Sequence, residues 1–448
     1  MNYQAMYKEK LVSADEAVKV VKSNDTVMYG WFVTLAFDLD AALAKRKDEL
    51  RDVYVMLGTA MHVPEIVKAD PEGEHFVFND YSFGVVSRKL SEKGQAYFIP
   101  EVYHEIPDYY RKIRPVDVVF LPVTPMDEHG FFNMSSTCSV NPAALQSAKH
   151  VVLEVNRSLP FTYGVDNNVH ISQADYVVES STNPPLFEIP KVNANEIDRI
   201  IASYLVEEIT DGACLQLGIG GMPNCVGEML ADSDIKDLGI HTEMLVDSVV
   251  DLYEAGRVTN MAKNIDKGKS VYTFAMGSKK LYDYIDRNPA CCAYPADYTN
   301  CPGVIASIDN FVSICGCLNV DILGQVSSES IGFKQVSGTG GQLDFHFASF
   351  HSKGGKGFLC MPSTNMNRKT GKKMSRIVPA FLPGTVVTVP SSLTNYVVTE
   401  YGIVNLKGKS TWERAEDLIS IAHPDFRDDL INECKKANIW RPSNKIAI

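Results

Sequence analysis

The segment DLGIHTEMLVDSVVDLYEAG, residues 237–256, joins an apolar run to an amphipathic helical pattern. The apolar run, Leu238 to Leu245, predicts a buried strand, and the residues after it predict a helix, as in the repeating unit of an α/β sheet. Glu243 lies at the carboxyl end of that strand, where reacting groups collect in open α/β sheets. A carboxylate at a strand end also commonly caps a neighbouring helix, so the pattern alone leaves a catalytic and a capping role open.

The same succession of helix, turn and strand occurs in both halves of the chain. In the first half, Ser13 and Glu16 have the spacing of a helix-capping box, and a strand is predicted at Thr26 to Tyr29. In the second half, Asn195 precedes a helix whose apolar residues follow the 3.6-residue period, and a strand is predicted at Cys214 to Leu217. We infer that one structural plan occurs twice.

A second correspondence supports this duplication. In each half a hydrophobic run is followed by Asp and Gly three residues apart and then by paired serines: Asp127, Gly130, Ser135 and Ser136, and Asp321, Gly324, Ser327 and Ser328. We therefore predict the α/β class, with two open α/β domains of similar topology at residues 1–187 and 188–448, the second carrying Glu243. The join lies in STNPPLFEIPKVNANE (residues 181–196), where prolines disfavour both helix and central strand.

Further elements are predicted from apolar runs and helical periodicity. Buried strands are expected at Val53 to Leu57, Val118 to Leu121, Val151 to Val155, Tyr176 to Val178, Val271 to Ala275, Phe358 to Met361 and Val386 to Val389. Helices are expected in TWERAEDLIS (411–420) and FRDDLINECKK (426–436) near the carboxyl terminus. The strands alternate with helices, so each sheet is predicted to be mainly parallel.

Composition excludes several classes of partner. The net charge of −12 and the pI near 5.4 argue against nucleic acid or an anionic membrane as the main partner, because both favour a basic surface. The first residues, MNYQAMYKEK, lack the apolar core of a signal peptide, and no apolar run has the length of a membrane span. We therefore expect a cytoplasmic protein. The ten cysteines without a CxxC spacing indicate reduced, mostly buried thiols, and the scattered histidines predict no metal site.

Two glycine-rich segments are candidates for ligand binding. GIGGMPN (218–224) follows a predicted strand and opens a helix, which suits either a tight turn without a ligand or a cradle of N–H groups for a phosphate or carboxylate. SGTGGQLDF (337–345) has three glycines around one threonine, which favours close approach of a ligand to the backbone over a plain turn. Neither segment has the lysine of a phosphate-binding P-loop.

Taken together, these segments resemble one family over nearly the whole chain. GIGGMPN, HTEMLVDSVVDLYEAG and SGTGGQLDF, with SRIVPAF (375–381), YVVTEYGIVNLKGKS (396–410), AHPDFR (422–427) and PMDEHGFFN (125–133), are similar to the acetyl-CoA hydrolase/transferase family, the class I CoA-transferases. The resemblance implies a class I CoA-transferase fold, a homodimer or higher homo-oligomer, and CoA transfer between acyl-CoA and short-chain carboxylic acids, with no permanently bound cofactor. Its motifs are most similar to those of enzymes that use butyryl-CoA and acetate in butyrate fermentation.

The resemblance also implies roles for individual residues. Glu243 matches the family's catalytic glutamate, which forms a glutamyl-CoA thioester, and Asn300 in YTNCPGVI (298–305) matches an asparagine that contacts the reacting carbonyl. CoA binding is implied for Gly220, Gly221, Met222, Pro223, Asn224, Gly340 and Gly341, and the Gly341 N–H is implied as an oxyanion donor. Cys315 stands where relatives often carry asparagine, so a polar role at that position is in doubt.

Three alternatives stay open at this stage. The acid specificity can be for 4-hydroxybutyrate or propionate, water can replace the acceptor acid in a hydrolase, or the chain can be a catalytically silent binder of CoA. Glu243 argues against the last of these. The pattern does not identify the residues that determine acyl-chain specificity. Trp31, Phe32 and Phe37 suit either an apolar acyl pocket or core packing.

Overall fold

The computed structural model describes residues 2–367 and 370–442. The strands are β1 Thr26–Tyr29, β2 Val53–Leu57, β3 Phe76–Asp80, β4 Tyr97–Phe98, β5 Val118–Val123, β6 Phe131–Asn133, β7 His150–Val155, β8 Tyr163–Gly164, β9 Asn168–His170, β10 Tyr176–Glu179, β11 Cys214–Leu217, β12 Gly239–Leu245, β13 Ser270–Ala275, β14 Cys291–Ala293, β15 Phe311–Gly316, β16 Asn319–Asp321, β17 Val326–Ser327, β18 Ser330–Ile331, β19 Lys334–Gln335, β20 Lys356–Cys360, β21 Thr364–Met366, β22 Lys373–Ser375, β23 Ile377–Val378, β24 Tyr396–Thr399 and β25 Gly402–Asn405. The α-helices are α1 Tyr3–Lys10, α2 Ala14–Ala17, α3 Phe37–Lys45, α4 Glu65–Ala69, α5 Val85–Ser91, α6 Ile106–Lys112, α7 Asn141–Ser147, α8 Glu196–Glu207, α9 Gly221–Asp232, α10 Asp247–Glu254, α11 Lys279–Ile285, α12 Ala296–Thr299, α13 Pro302–Ala306, α14 Gln342–His351, α15 Thr411–Ser420 and α16 Pro424–Lys436.

The chain forms two compact units, each made of several segments. The first comprises the described parts of Met1–Pro190, Thr242–Asp247 and Lys269–Cys301, and the second those of Lys191–His241, Ser248–Gly268 and Pro302–Ile448. The division after residue 187 stays a prediction. The compact units group the chain differently, because two segments of the second half, one of them carrying Glu243, pack with the first unit.

In the first unit, seven strands form a sheet in the order β10-β7-β5-β1-β2-β3-β4, and neighbouring strands pair in parallel. The apolar strands β1 and β5 are buried along their whole length, as expected for central strands of a parallel sheet covered on both faces. The predicted strands in this half coincide with β1 and β2 and lie within β5, β7 and β10.

In the second unit the strand order is β25-β24-β20-β15-β11-β12, with parallel pairing except between β24 and β25. The last four residues of β12 belong to the first unit, where β13, β14 and β8 follow in order. The succession β24-β20-β15-β11-β12-β13-β14 repeats β10-β7-β5-β1-β2-β3-β4, with equivalent strands in the same chain order. The prediction of an α/β fold with one topology used twice is therefore confirmed.

The repeated Asp and Gly form the same turn in both units. Asp127 Oδ1 accepts the N–H groups of His129 and Phe131, and Asp321 Oδ1 accepts those of Leu323 and Gln325. The glycine that follows each aspartate, Gly130 or Gly324, has φ of 84° or 85° and donates its N–H to the aspartate carbonyl. Glycine is required there because this left-handed conformation strains other residues.

One predicted strand is wrong. Val386 to Val389 forms no named strand, and only Val389 makes an isolated antiparallel bridge, to Val326. Pro390 follows the run, and the Val386 N–H donates to the side-chain hydroxyl of Ser330 at 2.8 Å instead of to a neighbouring strand. The predicted carboxyl-terminal helices are confirmed as α15 and α16.

Candidate active site

Glu243 lies near the carboxyl end of β12, with α10 beginning shortly after it at Asp247. The first four residues of β12 are buried, whereas Glu243 and Met244 are partly exposed. The strand therefore brings Glu243 out of the apolar interior at the edge where parallel α/β sheets bind ligands. The predicted strand and the following helix are confirmed.

Asn300 holds one oxygen of the Glu243 carboxylate. Its Nδ2 donates a hydrogen bond to Glu243 Oε2 at 2.7 Å, a short distance that is typical of a bond to an ionised group. Asn300 is fully buried at the end of α12, and its backbone N–H donates to the carbonyl of Ala296. Because the Asn300 backbone is fixed by the helix and its side chain is enclosed, the carboxylate has a defined orientation.

The amide oxygen of Asn300 has no hydrogen-bond donor among the described residues. Asn300 Oδ1 is buried and accepts no hydrogen bond from the part of the chain that the structure describes. Buried side-chain oxygens are normally hydrogen-bonded, so such an atom beside the Glu243 carboxylate indicates a place for a ligand or a water molecule. The structure thus brings Glu243 and Asn300 within hydrogen-bond distance in the first unit.

A tyrosine that the sequence did not indicate also belongs to this site. Tyr103 is buried, its hydroxyl lies 2.5 Å from Ser139 Oγ, and it interacts electrostatically with Glu243. Burial, reinforced by the Glu243 carboxylate, raises the pKa of Tyr103 well above its ordinary value. Tyr103 therefore stays protonated and neutral, and it presents a hydroxyl group without adding a second negative charge.

Aromatic side chains surround Tyr103. The ring of Phe32 stacks on Phe274 of β13 with centroids 3.6 Å apart, and both rings lie about edge-on to Tyr103, at 6.5 and 6.4 Å. Phe32 has φ of 56°, which is a strained conformation for a bulky residue. Trp31 is buried as well and stacks on Tyr81. Tyr103 thus lies in an apolar, aromatic environment.

The first glycine segment forms the amino-terminal turn of α9 in the second unit. Gly220 has φ of 121° and ψ of 176°, a region open to glycine alone. A Cβ atom on Gly221 would lie 2.5 Å from Asp198 Oδ2, so a larger residue there would displace the Asp198 side chain at the start of α8. The first N–H groups of α9 have no acceptor within the helix, and Pro223 contributes none. The turn therefore suits both readings of the sequence, a structural turn and an anion cradle.

Met222 and Asn224 complete this segment. Met222 is buried, whereas Asn224 is partly exposed and donates from Nδ2 to the carbonyl of Val192 at 3.2 Å. The Asn224 N–H donates to the Gly220 carbonyl, which closes the first turn of α9. Asn224 thus anchors the segment after its partly exposed glycines.

The second glycine segment precedes α14 in the second unit. Gly340 has φ of 54°, which favours glycine, whereas Gly341 caps α14 with φ of −97°, which any residue adopts. The Gly341 carbonyl accepts the N–H of Phe345 at 3.0 Å. Backbone conformation therefore explains glycine at position 340 and leaves glycine at position 341 to be explained by space or function.

Cys315 retains a polar environment in the second unit. Its Sγ lies 3.5 Å from Gln216 Oε1 and 3.6 Å from Ser313 Oγ, and Ser313 donates to the same glutamine oxygen.

Among the described residues, no group of three or more histidine, cysteine, aspartate or glutamate side chains is placed to hold a metal ion. In the same part of the chain, no helix combines the length and apolarity needed to cross a bilayer.

The duplicated α/β fold places an oriented carboxylate, that of Glu243, near the carboxyl end of a parallel strand. The N-terminal domain of the acetyl-CoA hydrolase/transferase family matches residues 1–187, and the C-terminal domain of that family matches residues 277–434. The chain therefore belongs to the acetyl-CoA hydrolase/transferase family.

Individual relatives cover the chain almost completely. A butyryl-CoA:acetate CoA-transferase of Anaerostipes caccae is 49% identical over 448 residues, which is 99% of this chain and 100% of the relative. A 4-hydroxybutyrate coenzyme A transferase of Clostridium kluyveri is 41% identical, with 97% and 100% covered. Among solved structures, RipA from Yersinia pestis has a TM-score of 0.89 at 35% identity, covering 98% of this chain and 100% of RipA. A 4-hydroxybutyrate CoA-transferase from Porphyromonas gingivalis has a TM-score of 0.79 at 31% identity, with 97% and 100% covered.

Proposed function

We propose that this protein is a CoA-transferase that moves CoA from butyryl-CoA to acetate, with Glu243 as its nucleophile. The observation that carries the proposal is the 2.7 Å hydrogen bond from buried Asn300 to the Glu243 carboxylate, which orients a nucleophile at a strand end. Identity of 49% over the full chain to a butyryl-CoA:acetate CoA-transferase supports this choice of substrates.

The reaction proceeds in two half-reactions. Glu243 attacks the carbonyl carbon of butyryl-CoA, a C–O bond forms, the C–S bond breaks, and CoA thiolate leaves a mixed anhydride. The thiolate then attacks the glutamyl carbonyl, which releases butyrate and leaves glutamyl-CoA. Acetate attacks glutamyl-CoA to form a second anhydride, and the thiolate attacks its acetyl carbon, which releases acetyl-CoA and restores Glu243. No net proton is transferred.

Backbone N–H groups assist these steps in our proposal. Gly220, Gly221, Met222, Pro223 and Asn224 form the CoA-binding turn, because the uncompensated N–H groups at the start of α9 attract anionic groups. Gly340 and Gly341 also contact CoA, and the Gly341 N–H donates to the oxyanion of each tetrahedral intermediate. One such donor lowers the barrier by ~3 kcal/mol. Asn300 contacts the reacting carbonyl through the amide that orients Glu243.

A 4-hydroxybutyrate CoA-transferase is the second candidate, since such enzymes of two organisms match nearly the whole chain at 41% and 31% identity. Initial rates with a panel of acyl-CoAs and acceptor acids separate the two candidates, and the same assay with water as the only acceptor measures hydrolysis. Higher kcat/KM with 4-hydroxybutyryl-CoA than with butyryl-CoA would contradict the butyrate assignment.

We further propose a cytoplasmic homodimer, for which sedimentation equilibrium should give twice the mass of 49.6 kDa.

The nucleophile is tested by trapping the intermediate. Incubation with butyryl-CoA in the absence of acceptor acid should place CoA on the peptide that contains Glu243, because the CoA half is stored between the half-reactions. Borohydride should reduce this thioester to an alcohol that marks the same peptide in mass spectrometry. The Glu243→Ala variant is the matched control and should show no label. Label on another peptide would overturn the assignment.

A further inference from the structure

A buried glutamate, Glu329, lies under the second glycine segment, Ser337–Gly341, in the second unit. Glu329 is only 2% exposed, although neither the sequence pattern nor the proposed chemistry assigns it a role. Its Oε2 accepts a hydrogen bond from Thr339 Oγ1 at 3.0 Å, and its Oε1 accepts one from Thr388 Oγ1 at 2.9 Å. The side chain thus ties the only residue with a side chain between the glycines to a neighbouring loop.

The main chain of Glu329 holds the start of the same segment. Its carbonyl oxygen accepts the N–H groups of Val336 at 2.7 Å and Ser337 at 3.1 Å. One residue therefore makes three hydrogen bonds to residues 336–339, two through its carbonyl and one through its carboxylate. Together they fix the position of the backbone at Val336 and Ser337 and the orientation of the Thr339 side chain.

The residue before Glu329 fixes the other end of the segment. Ser328 Oγ donates to Gln342 Oε1 at 2.5 Å, and Gln342 Nε2 donates to the carbonyl of Gly316 at 2.7 Å. The Ser328 N–H also donates to Thr388 Oγ1 at 3.0 Å, so Thr388 links Ser328 to Glu329. The glycine segment is consequently held at Ser337, at Thr339 and at the first residue of α14.

Such anchoring matters because the glycines supply no side chains to restrict the backbone. Gly338, Gly340 and Gly341 have wide conformational freedom, and an N–H group stabilises an oxyanion only when it is already aimed at the oxygen. A displacement of about 1 Å in a reacting group costs roughly 100-fold in rate. A buried carboxylate is also unfavourable unless its hydrogen bonds are made, and each carboxylate oxygen of Glu329 accepts one.

We propose that Glu329 is a positioning residue for the oxyanion-donating backbone at Gly341, acting through its hydrogen bond to Thr339. This inference rests on the proposed function of Gly341. Glu329 does not touch the reacting atoms, so its removal changes the aim of the donor and leaves CoA binding largely intact. The expected signature is a loss in kcat with little change in KM.

The test uses Thr339→Val, which removes the hydroxyl held by Glu329 and keeps the branched shape. We expect kcat for transfer to fall about 10- to 100-fold, since a misaimed donor loses part of the 10²- to 10³-fold effect of a whole donor, with KM for butyryl-CoA within about 3-fold. Thr339→Ser keeps the hydroxyl and should restore most of kcat. Thr394→Val is the matched control, because Thr394 is a buried threonine of the same unit that donates to Gly324 instead.

Glu329→Ala and its combination with Thr339→Val complete the experiment. If both act through one hydrogen bond, the double variant is no slower than Glu329→Ala. Near-native kcat in Thr339→Val, an equal loss in Thr394→Val, or multiplied losses in the double variant would each overturn the inference. Gly341→Val separates this failure from that of the proposed function: if it too transfers normally while Glu243 is still labelled, the donor role of Gly341 is wrong.

Discussion

Replacing Glu243 by aspartate tests the geometry of the candidate site directly. The change keeps the carboxylate and shortens the side chain by one methylene, so the carboxylate withdraws by ~1.3 Å. The Asn300 Nδ2 to carboxylate distance of 2.7 Å then becomes roughly 4 Å, which is beyond hydrogen-bond reach. The nucleophile loses its orienting donor and moves away from its attack position in one step.

The size of the effect follows from these two losses. A hydrogen bond to a charged group contributes about 1.5–3 kcal/mol, or roughly 10- to 150-fold in rate, and a displacement of about 1 Å costs roughly 100-fold. Both come from the same withdrawal, so they overlap. We expect Glu243→Asp to lower kcat/KM for transfer by about 10²- to 10³-fold.

Labelled acetate and butyryl-CoA give the transfer rate, and rapid quenching gives the rate of glutamyl-CoA formation. Asn300→Ala removes the donor alone and should slow transfer about 10- to 150-fold. Because Glu243→Asp has already lost that donor, the double variant should be no slower than Glu243→Asp. Glu207→Asp, on the exposed face of α8, is the matched control and should be unaffected. Near-native transfer by Glu243→Asp, or full multiplication of the two losses, would refute the reasoning.

Three further predictions concern the second unit. Gly341→Val should lower kcat of the folded enzyme by two or more powers of ten; φ of −97° does not exclude valine, but Gly341 is buried, so part of the melting temperature is lost as well, and unfolding with intrinsic activity preserved in the folded fraction would exclude this glycine from the mechanism. Gly220→Ala should raise KM for butyryl-CoA about tenfold or more, because φ of 121° strains alanine; a lower melting temperature with unchanged KM would make Gly220 a turn residue only. Burial lowers the pKa of His346 to about 3, so the unfolded chain binds more protons between pH 6.5 and 3 and stability falls with acidification. Urea unfolding at pH 7 and pH 5 should show about 2 kcal/mol more acid destabilisation in the native chain than in His346→Gln, and equal slopes would contradict this.

Local patterns were sufficient to predict most of the fold. Strands such as β1, β2 and β11 were predicted at their observed residues, because continuous apolar runs bounded by polar turns have few alternatives in a parallel sheet. The run at Val386 to Val389 failed for a nonlocal reason, since its first N–H pairs with the hydroxyl of Ser330, distant in sequence. Val386 and Val387 are also exposed, at 41% and 37%, so hydrophobicity alone indicated neither the burial nor the hydrogen-bond partner of this run.

The site was predictable only in part for the same reason. Glu243 and Asn300 were implied by motifs and lie within hydrogen-bond distance of each other, but no periodicity or spacing indicated Tyr103 or Ser139. These residues belong to separate segments of the first half and reach the site through the tertiary fold of the first unit. A tyrosine in a loop has no local signal for such a role.

The two copies of the Asp and Gly turn differ in a residue that follows the turn, Ser135 in the first half and Glu329 in the second. Counted from the turn, Glu329 follows Asp321 at the same distance as Ser135 follows Asp127, whereas the paired serines of the two halves are offset by two residues. At this equivalent position each carbonyl holds a later loop: that of Ser135 accepts from Thr162 Oγ1 at 2.5 Å, and that of Glu329 accepts from Ser337 N–H at 3.1 Å. In both halves, the carbonyl at this position therefore accepts a hydrogen bond from a residue later in the chain. Only the second half adds a carboxylate that reaches the glycine segment, so the anchoring of that segment is a specialisation of one copy and not a requirement of the fold.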